Sequence, residues 1–440
     1  MIIRLISEIC DVKYLSGILT VKTDYKEIDE GTSYIGYREA FDIIEANIRH
    51  MGEEELPLCL CVGRVVAADL EALVSYPSVD VSLKDGFAVK STDVVYAARH
   101  KPVCLKVAGS VFAGAKYEGQ VKHGGAVKIC SGSPIPDGAD AVVSGEFCEE
   151  VSPGEVLIKA DAGPGRNILC TGVEVEAGAT ILRRGEKVSP GKLGLAAAAG
   201  INKVRVHRRP CVAIISVGDE VVAPGEKLQA GQLYASNLVT MYAWLASFGI
   251  SCVTCVVTDN EGSIKQELQK YLPNVDAILT TGGAWGSERD LVIGALDKLG
   301  WQKRFHYVRM GPGKGIAFGV WENVPVSCLP GGPLSNEMAF LQLALPAILR
   351  MGGETKHPLQ IVPARLTEDV KSRHKAWTEF KDAIVTLDGR GNYSVALYKN
   401  RSRLQAIASA SGLTCIPEGK ESLDSGDVVP VQLLTPRLDD

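Results

Sequence analysis

The chain has 440 residues, of which 46% are hydrophobic and 22% are charged, a composition typical of globular proteins. At roughly 150 residues per domain, this length predicts about three domains. The formal net charge is −5, from 47 Lys and Arg against 52 Asp and Glu, and the absence of a basic run argues against a general nucleic-acid binder. No apolar stretch reaches the roughly 18 residues that a membrane span needs, so we expect no membrane association.

The twelve cysteines lie singly in apolar runs rather than in a disulfide framework, which favours reduced thiols and a cytoplasmic location. Charged residues are scattered through positions 1–20, a pattern unlike that of a signal peptide. Cys252 and Cys255 form a close pair, but no second pair or histidine cluster completes a zinc ligand set.

The first half of the chain predicts a helix, an irregular segment and a small β module. Residues 1–33 carry no clear hydrophobic period, and we assign them no role beyond an N-terminal extension. Apolar residues recur at helical spacing from Tyr37 to His50, which predicts a helix. Residues 57–73 are compatible with a helix or an extended segment. From Phe87 to Ile158, short β-type runs alternate with Gly and Pro turns, which predicts an all-β module.

A different pattern begins at Pro210, where apolar strands alternate with helical segments. The predicted elements are strands at 212–216, 252–257, 277–281, 305–308, 316–319 and 326–329, with helices at 238–248, 264–272, 291–299 and 337–349. This alternation predicts βαβ units and a parallel sheet covered by helices on both faces. Residues 358–435 return to short β-type runs, which predicts a C-terminal β module.

The stretch from Ala277 to Asp290 combines a buried strand with a glycine turn and polar side chains. After Gly282 and Gly283 it delivers Ser287 and Asp290 to the start of a predicted helix. Free backbone N–H groups and the positive end of the helix dipole suit an anion, and the carboxylates add a place for a hard cation. A tight strand-to-helix turn, with the acidic residues as first-turn caps, explains the stretch about equally well.

Other loops at the same predicted sheet edge are rich in glycine or carboxylates. They are the loops 218–220, 259, 311–315 and 330–335. In an open α/β sheet, ligands bind beyond the carboxyl ends of the strands. Lys314 lies within a glycine-rich turn and supplies a positive charge for a phosphate or a similar tetrahedral dianion. Because carboxylates repel such an anion unless Mg²⁺ lies between them, the combination predicts a metal-bridged phosphoryl group.

Each of these residues also has a simpler explanation, as a capping carboxylate or a turn residue, and only their convergence favours a site. The chain contains neither a P-loop nor a G-x-G-x-x-G opening of the first α/β helix, which disfavours an ATPase or a dinucleotide enzyme. It also lacks the G-x-S-x-G elbow of serine hydrolases.

The order and spacing of these motifs resemble those of the molybdopterin molybdenumtransferases, the MoeA and gephyrin E-domain family, from about Tyr34 to Leu434. The stretches that carry the resemblance are 85–89, 131–143, 216–220, 281–290, 312–314 and 329–335. The resemblance implies a multidomain α/β fold and an elongated homodimer. It implies an elongated first domain in two segments (34–86 and 159–209), an inserted β module (87–158), a central parallel, MogA-like α/β molybdopterin-binding domain (210–353) and a C-terminal β domain (354–440).

The resemblance also implies a reaction in molybdenum cofactor biosynthesis. Adenylylated molybdopterin and molybdate would be converted to the molybdenum cofactor and AMP in the presence of Mg²⁺. A molybdopterin adenylyltransferase would supply the substrate, and molybdoenzymes would receive the product.

Site residues follow from the resemblance position by position. Substrate phosphates would be held by Thr281, Gly282, Gly283 and Ser287, and the metal by Glu220, Asp259 and Asp290. Lys314, Pro330, Pro333 and Ser335 would line the pocket for molybdate and the dithiolene. Asp85 would approach the cleft of the partner subunit, and Ser131 stands where the family usually has Thr. Asp85, Asp259, Asp290 and Lys314 would be the catalytic residues.

Several positions depart from the family pattern. Trp285 replaces a serine, and Gly332 replaces the asparagine of the Pro-Gly-Asn-Pro loop. Gly311 takes the place of a lysine, for which Arg309 is the nearest substitute, and the segment beginning at Trp377 lacks an expected arginine. These changes leave three alternatives open: a non-catalytic pterin-binding or scaffold paralogue, a tungstate-specific insertase, and a phosphate-handling enzyme acting on another nucleotide.

Overall fold

The structure, a computed structural model, describes residues 33–283, 291–399 and 402–434. The chain divides into two compact units. Unit 1 comprises Met1–Arg49, Arg209–Met351 and Lys356–Asp440, and unit 2 comprises His50–Arg208 and Gly352–Thr355. The finer domain boundaries expected from the sequence stay a prediction. Among the described residues, no helix is both long and apolar enough to span a membrane.

The described part of unit 1 begins with strand β1 (Ile35–Gly36) and helix α1 (Tyr37–Asn47). The helical period predicted from Tyr37 onward is confirmed, since Ala40 and Ile44 lie one turn apart on the buried face. The backbone N–H of Gly36 donates to Glu39 Oε2 at 3.2 Å and satisfies one of the unpaired donors at the helix start.

Unit 2 is built from short strands and two helices among its described residues. In chain order they are β2 (Glu53–Pro57), a 3₁₀ turn (Leu58–Leu60), β3 (Leu70–Glu71), β4 (Val81–Ser82), β5 (Gly86–Val89), α2 (Ser91–Val94), β6 (Val103–Val111), β7 (Gly125–Ile129), β8 (Ala141–Ser144), a 3₁₀ turn (Gly145–Phe147), β9 (Cys148–Ser152), β10 (Glu155–Ile158), β11 (Ile168–Leu169), β12 (Thr180–Leu182), α3 (Pro190–Ala198) and β13 (Lys203–His207). The expected β module forms one sheet in the order β8-β5-β7-β6-β10-β9. The pairs β2–β13, β3–β12 and β4–β11 join chain before the module to chain after it.

Unit 1 continues with the α/β part of the chain. Its elements are β14 (Cys211–Val217), β15 (Val221–Val222), β16 (Leu233–Tyr234), α4 (Ser236–Ser247), β17 (Ser251–Val257), α5 (Glu261–Tyr271), a 3₁₀ turn (Leu272–Asn274), β18 (Ala277–Thr281), α6 (Leu291–Lys298), β19 (Gln302–His306), β20 (Val308–Gly311), β21 (Ala317–Trp321), β22 (Val324–Leu329), α7 (Pro333–Ala339), a π-helical segment (Phe340–Ala344) and α8 (Leu345–Met351).

The α/β sheet has the strand order β17-β14-β18-β22-β21-β19. The central strands β14, β18 and β22 are almost entirely buried, as expected for continuous apolar strands covered on both faces. The chain starts at β14, adds β17 on one side and then crosses to β18 on the other. This reversal makes the gap between the ends of β14 and β18 the topological switch point, where open α/β sheets bind ligands.

The predicted parallel sheet is confirmed for β17, β14, β18 and β22, which pair in parallel, but the sheet as a whole is mixed. Strand β21 pairs antiparallel with both β22 and β19. The cause is the two-residue turn Glu322–Asn323, whose φ values are +47° and +70°. Positive φ at both central residues is the type I′ geometry that joins adjacent antiparallel strands.

The prediction of a single strand at 305–308 was wrong, because Tyr307 interrupts the strand with a φ of +74°. Strand β19 before Tyr307 belongs to the α/β sheet, whereas β20 after it pairs in parallel with β1 and β25 of the C-terminal sheet. Tyr307 is therefore the point where the chain passes from one sheet to the other.

The C-terminal part of unit 1 is a β structure with one helix among its described residues. Its elements are β23 (Ile361–Leu366), β24 (Val370–Lys371), β25 (Thr378–Leu387), β26 (Tyr393–Leu397), α9 (Arg403–Ser409), β27 (Gly412–Ile416), β28 (Ser422–Leu423) and β29 (Val428–Leu433). The sheet order is β1-β20-β25-β26-β23-β29-β27, and β25 also pairs with β27. The five strands β25, β26, β23, β29 and β27 therefore form a closed sheet. Helix α9 was not expected from the sequence. The predicted fold class, a multidomain chain with a central α/β sheet and a C-terminal β domain, is confirmed.

Candidate functional site

The ends of three parallel strands bring the main glycine-rich loops of the sequence together. In the register of the sheet, Thr281 of β18 lies beside Ser216 of β14 and beside Leu329 of β22. The segments that follow these three residues therefore leave the sheet side by side, at its switch point. The predicted convergence is confirmed for the loops after β14, β17, β18 and β22. It is wrong for the loop 311–315, which follows β20 of the C-terminal sheet, although Pro312 of that loop lines the same cleft as Pro330 and Ser335.

The turn after β18 requires glycine at two consecutive positions. Gly282 has a φ of +91°, and a Cβ atom built there would overlap the carbonyl oxygen of Val217. Gly283 has a φ of +64°, and its Cβ would lie 2.9 Å from Val292 Cγ2. Left-handed backbone geometry and lack of space both exclude a side chain. The turn thus exposes backbone rather than side chains beside the end of β14, an arrangement suited to an oxyanion.

Two asparagine amides tie this turn to the loop after β22. Asn237 Nδ2, at the start of α4, donates to Thr281 Oγ1 at 3.0 Å and to the carbonyl oxygen of Gly331 at 2.8 Å. Asn336 Nδ2, on α7, donates to the same Thr281 oxygen at 2.9 Å and to the carbonyl oxygen of Pro330 at 3.0 Å. Sequence reasoning missed both asparagines. The only signal for Asn336 was its position directly after the predicted loop 330–335.

A cleft of about 490 Å³ lies next to this arrangement, within unit 1. Its lining residues are Pro312, Pro330, Gly331, Gly332, Leu334, Ser335 and Arg403. Pro330 and Ser335 were predicted to line the pocket. Pro333 begins α7 and is not one of the lining residues. Arg403, the first residue of α9, was not predicted as a site residue.

The cations near the cleft differ from those expected. Arg309, the proposed substitute for a lysine at position 311, donates to the carbonyl oxygen of Tyr34 at 2.7 Å and to Glu418 Oε1 at 3.3 Å. These bonds hold the guanidinium in place, and the expectation that it supplies charge to the pocket is not met. Lys314 places its Nζ 5.8 Å from the ring centroid of Trp377, a cation–π contact.

Carboxylates stand at the ends of β14 and β17. Asp219 Oδ1 accepts a hydrogen bond from the backbone N–H of Asp259 at 2.9 Å, which fixes the two strand ends to each other. Glu220 folds back so that its carboxyl group lies against Gly218. Within the described ranges, no three His, Cys, Asp or Glu side chains are grouped closely enough to hold a metal ion. The third predicted ligand, Asp290, lies outside the described residues, as do Trp285 and Ser287.

A buried carboxyl group lies on α7, two residues after Ser335. Glu337 is 6% exposed, and burial raises the pKa of its carboxyl group to about 7. Trp244 Nε1 donates to Glu337 Oε1 at 3.3 Å and opposes this shift, whereas the nearby Asp382 carboxylate adds to it. Burial also raises the pKa of Asp382. No pattern in the sequence predicts an acidic pair here.

The remaining predicted site residues, Asp85 and Ser131, belong to unit 2. Asp85 Oδ1 accepts a hydrogen bond from the backbone N–H of Ser131 at 2.7 Å. The structure therefore brings these two residues together. Their predicted roles stay a prediction.

Family models match the chain along most of its length. The MoeA N-terminal region (domains I and II) matches residues 35–200, a probable molybdopterin binding domain matches 213–350, and the MoeA C-terminal region (domain IV) matches 363–434. The matched ranges contain all the motifs that carry the resemblance, from 85–89 to 329–335.

Curated relatives and solved structures agree with these matches. The chain is 32% identical to molybdopterin molybdenumtransferase 2 of Mycobacterium tuberculosis (strain H37Rv), over 86% of this chain and 95% of the relative. It is 32% identical to the molybdopterin molybdenumtransferase of Haemophilus influenzae, over 68% of this chain and 73% of the relative. The crystal structure of a molybdopterin biosynthesis MoeA protein from Pyrococcus horikosii covers 92% of this chain and 100% of its own, at 32% identity and a TM-score of 0.76. The chain therefore belongs to the molybdopterin molybdenumtransferase (MoeA) family.

Proposed function

We propose that this protein is a transferase of molybdenum cofactor biosynthesis that joins molybdate to adenylylated molybdopterin and releases AMP. Its relatives in M. tuberculosis and H. influenzae carry the name molybdopterin molybdenumtransferase. The observation that carries the proposal is that the Gly282–Gly283 turn and the Pro330–Ser335 loop lie together at one end of the α/β sheet. The Pro330–Ser335 loop and Arg403 line the cleft of about 490 Å³ at this place.

The Gly282–Gly283 turn is the proposed binding site for the phosphates of the adenylylated substrate. Its glycines keep side chains away from the backbone at the switch point, so backbone N–H groups can approach phosphate oxygens closely. The neighbouring cleft of about 490 Å³ is of the size of a small-molecule site. The substrate would thus lie with its phosphates at the turn and its pterin end toward Pro330 and Ser335.

Molybdate is a tetrahedral dianion and needs cations and hydrogen-bond donors. Arg403, Ser335 and Pro312 line the cleft. Lys314 lies two positions after Pro312 in the chain. When the two dithiolene thiols bind molybdenum, one molybdate oxygen leaves as water with their two protons. A water molecule cleaves the phosphoanhydride to give AMP and the molybdopterin phosphate, and its protons pass to the solvent, so atoms and charge balance. The chain's contribution is to hold both reactants in the correct relative position.

The carboxylates at the strand ends are compatible with a bound Mg²⁺, which prefers oxygen ligands. The proposed ligands are Glu220 and Asp259 with Asp290, and the Asp219 side chain fixes the backbone of Asp259 beside β14. When bound there, Mg²⁺ would neutralise part of the charge on the substrate phosphates.

The proposal includes a cytoplasmic homodimer in which Asp85 approaches the cleft of the partner subunit. The cysteines of the described residues are free thiols, in keeping with a reducing compartment. A molybdopterin adenylyltransferase would deliver the substrate, and molybdoenzymes would take the product.

The test is AMP release from adenylylated molybdopterin in the presence of molybdate and Mg²⁺. We expect turnover by the wild-type protein and its loss in Asp290→Asn, with an unchanged unfolding midpoint. A folded wild-type protein that binds the pterin without releasing AMP would instead be a carrier or scaffold. Turnover with tungstate but not with molybdate would identify a tungstate-specific insertase. Absence of both binding and turnover would contradict the proposal.

A further inference from the structure

The Thr281 hydroxyl group receives hydrogen bonds from two asparagine side chains at once. Asn237 Nδ2 and Asn336 Nδ2 lie 3.0 Å and 2.9 Å from Thr281 Oγ1. Thr281 is 2% exposed and Asn336 is 1% exposed, so bulk water does not compete for these bonds. The arrangement joins the start of α4, the end of β18 and the helix α7.

The backbone determines which end of each amide faces Thr281. The same nitrogen of Asn237 also contacts the carbonyl oxygen of Gly331 at 2.8 Å, and that of Asn336 contacts the carbonyl oxygen of Pro330 at 3.0 Å. A carbonyl oxygen can only accept, so the amide atom facing it must be the NH₂ group. One hydrogen of each NH₂ group serves the carbonyl, and the other is donated to Thr281.

A hydroxyl group has two lone pairs that accept and one hydrogen that it can donate. With both lone pairs of Thr281 Oγ1 occupied, only its hydrogen remains for a ligand. Among residues 33–283, 291–399 and 402–434, Thr281 Oγ1 accepts these two hydrogen bonds and donates none. A buried donor left without an acceptor bears the full desolvation penalty of that group, and a ligand oxygen would remove this penalty.

We propose that Asn237 and Asn336 are positioning residues that make the Thr281 hydroxyl an obligate hydrogen-bond donor to a phosphate oxygen of the substrate. This inference rests on the proposed function and identifies the ligand group by its chemistry: an anionic oxygen that accepts and cannot donate. The same two amides hold the carbonyl oxygens of Pro330 and Gly331, so the loop that lines the cleft is fixed to the phosphate-binding turn. The phosphate-binding turn and the cleft-lining loop are thereby held in a fixed relative position before the ligand binds.

The measurement is the dissociation constant of adenylylated molybdopterin, with inorganic pyrophosphate as a second probe. Thr281→Val should weaken binding about 10- to 100-fold, the range for a hydrogen bond to a charged group. Thr281→Ser, which keeps the hydroxyl, should restore most of the affinity. Asn336→Asp should weaken binding at least as much as Asn336→Ala, because its carboxylate accepts the Thr281 hydrogen and repels the anion.

A double-mutant cycle separates positioning from a general structural effect. Asn237→Ala and Asn336→Ala should each weaken binding in the wild-type background. Each should weaken it clearly less in the Thr281→Val background, where only the amide's bond to the cleft-lining loop remains to be lost. Asn237 is only half-buried, so its variant keeps the test valid if Asn336→Ala fails to fold. Asn47→Ala is the matched control, since Asn47 Nδ2 also donates to a backbone carbonyl, that of Ile43, at 2.8 Å. It should leave the affinity unchanged.

Full additivity of the asparagine and Thr281 variants would overturn the inference, as would wild-type affinity in Asn336→Asp. If the wild-type protein binds pyrophosphate in this Thr281-dependent way but does not turn over the pterin, the proposed function fails and the inference stands. If it turns over the pterin with no effect of the asparagine variants, the inference alone fails. Absence of binding of either probe overturns both.

Discussion

Gly311 lies against the indole ring of Trp377, and a Cβ atom at position 311 would stand 3.8 Å from Trp377 Cε3. Both residues depart from the family pattern stated from the sequence, one where a lysine and one where an arginine was expected. The structure shows that the two departures are in contact, so a small residue and a large aromatic one replace two positive charges together. Lys314 Nζ lies 5.8 Å from the centroid of the same ring. Trp377 therefore makes a cation–π contact with Lys314, the remaining lysine of the loop 311–315.

The first prediction concerns the contact between Trp377 and Lys314. Trp377→Leu should raise the KM for molybdate about fivefold, because a cation–π contact of about 1 kcal/mol is lost. Trp377→Phe keeps an aromatic face and should restore most of the difference. The measurement is steady-state AMP release at varied molybdate concentration.

Trp321→Leu is the control for the loss of a buried tryptophan, because Trp321 is 3% exposed and packs in the core of the α/β sheet. It should lower the unfolding midpoint and leave the KM for molybdate unchanged. Equal KM values for Trp377→Leu and Trp377→Phe would show that the ring does not act on Lys314.

Much of the α/β part could be predicted because its signals are local. The apolar runs that become β14, β18 and β22 are buried on both faces, and the glycine pair after β18 marks the turn. Parallel strands place their carboxyl ends at one edge, so the convergence of the loops after β14, β17, β18 and β22 followed from the strand assignment alone.

The features that were missed depend on contacts between residues far apart in the chain or on unusual backbone angles. Asn336 meets Thr281 across 55 positions, and Arg309 meets Glu418 across 109. No local pattern distinguishes Arg309, held by Glu418, from Arg403, which lines the cleft. The positive φ of Tyr307 likewise has no composition signal, since a bulky aromatic residue is seldom found there.

The second prediction separates the two arginines by function. Arg403→Ala should weaken binding of the anionic substrates about tenfold, because an exposed guanidinium that lines the cleft is lost. Its unfolding midpoint should stay close to that of the wild type. The measurement pairs equilibrium binding of adenylylated molybdopterin with thermal unfolding.

Arg309→Ala is the matched comparison, because its guanidinium holds the carbonyl oxygen of Tyr34 and the Glu418 carboxylate. It should lower the free energy of unfolding by about 1–3 kcal/mol and leave substrate affinity unchanged. A reversed pattern, with affinity lost in Arg309→Ala and kept in Arg403→Ala, would show that Arg309 rather than Arg403 binds the anionic substrate.

The third prediction concerns the turn after β18. Gly282→Ala should destabilise the protein by at least about 1–3 kcal/mol and abolish substrate binding, because left-handed geometry is strained for alanine and its Cβ overlaps Val217. Gly294→Ala, in helix α6 with no atom within 4 Å of the added Cβ, should instead stabilise by about 0.5–1 kcal/mol. Urea unfolding measures both, and a tolerated alanine at position 282 would contradict the description of the turn.

The last prediction is a pH dependence of stability that arises from Glu337. Burial raises the pKa of its carboxyl group from 4.5 in the unfolded chain to about 7 in the folded protein. The folded state then binds more protons than the unfolded state between these values, so the free energy of unfolding falls as the pH rises through this window. A difference of about 2.5 units corresponds to about 3 kcal/mol, as an order of magnitude.

Glu337→Gln should remove this loss, because the amide is neutral at every pH and its oxygen can still accept from Trp244 Nε1. The variant should match the wild type in urea unfolding at pH 4 and be more stable at pH 8. Glu261→Gln is the control, because the pKa of the Glu261 carboxyl group is lowered in the folded protein whereas that of Glu337 is raised. Hydrogen bonds from Lys265 and Lys298 lower the pKa of the Glu261 carboxyl group to about 2, so its contribution is present above pH 4.5 and is lost toward pH 2. Equal stabilities of Glu337→Gln and wild type at pH 8 would show that the Glu337 carboxyl group ionises in the folded protein as readily as in the unfolded chain.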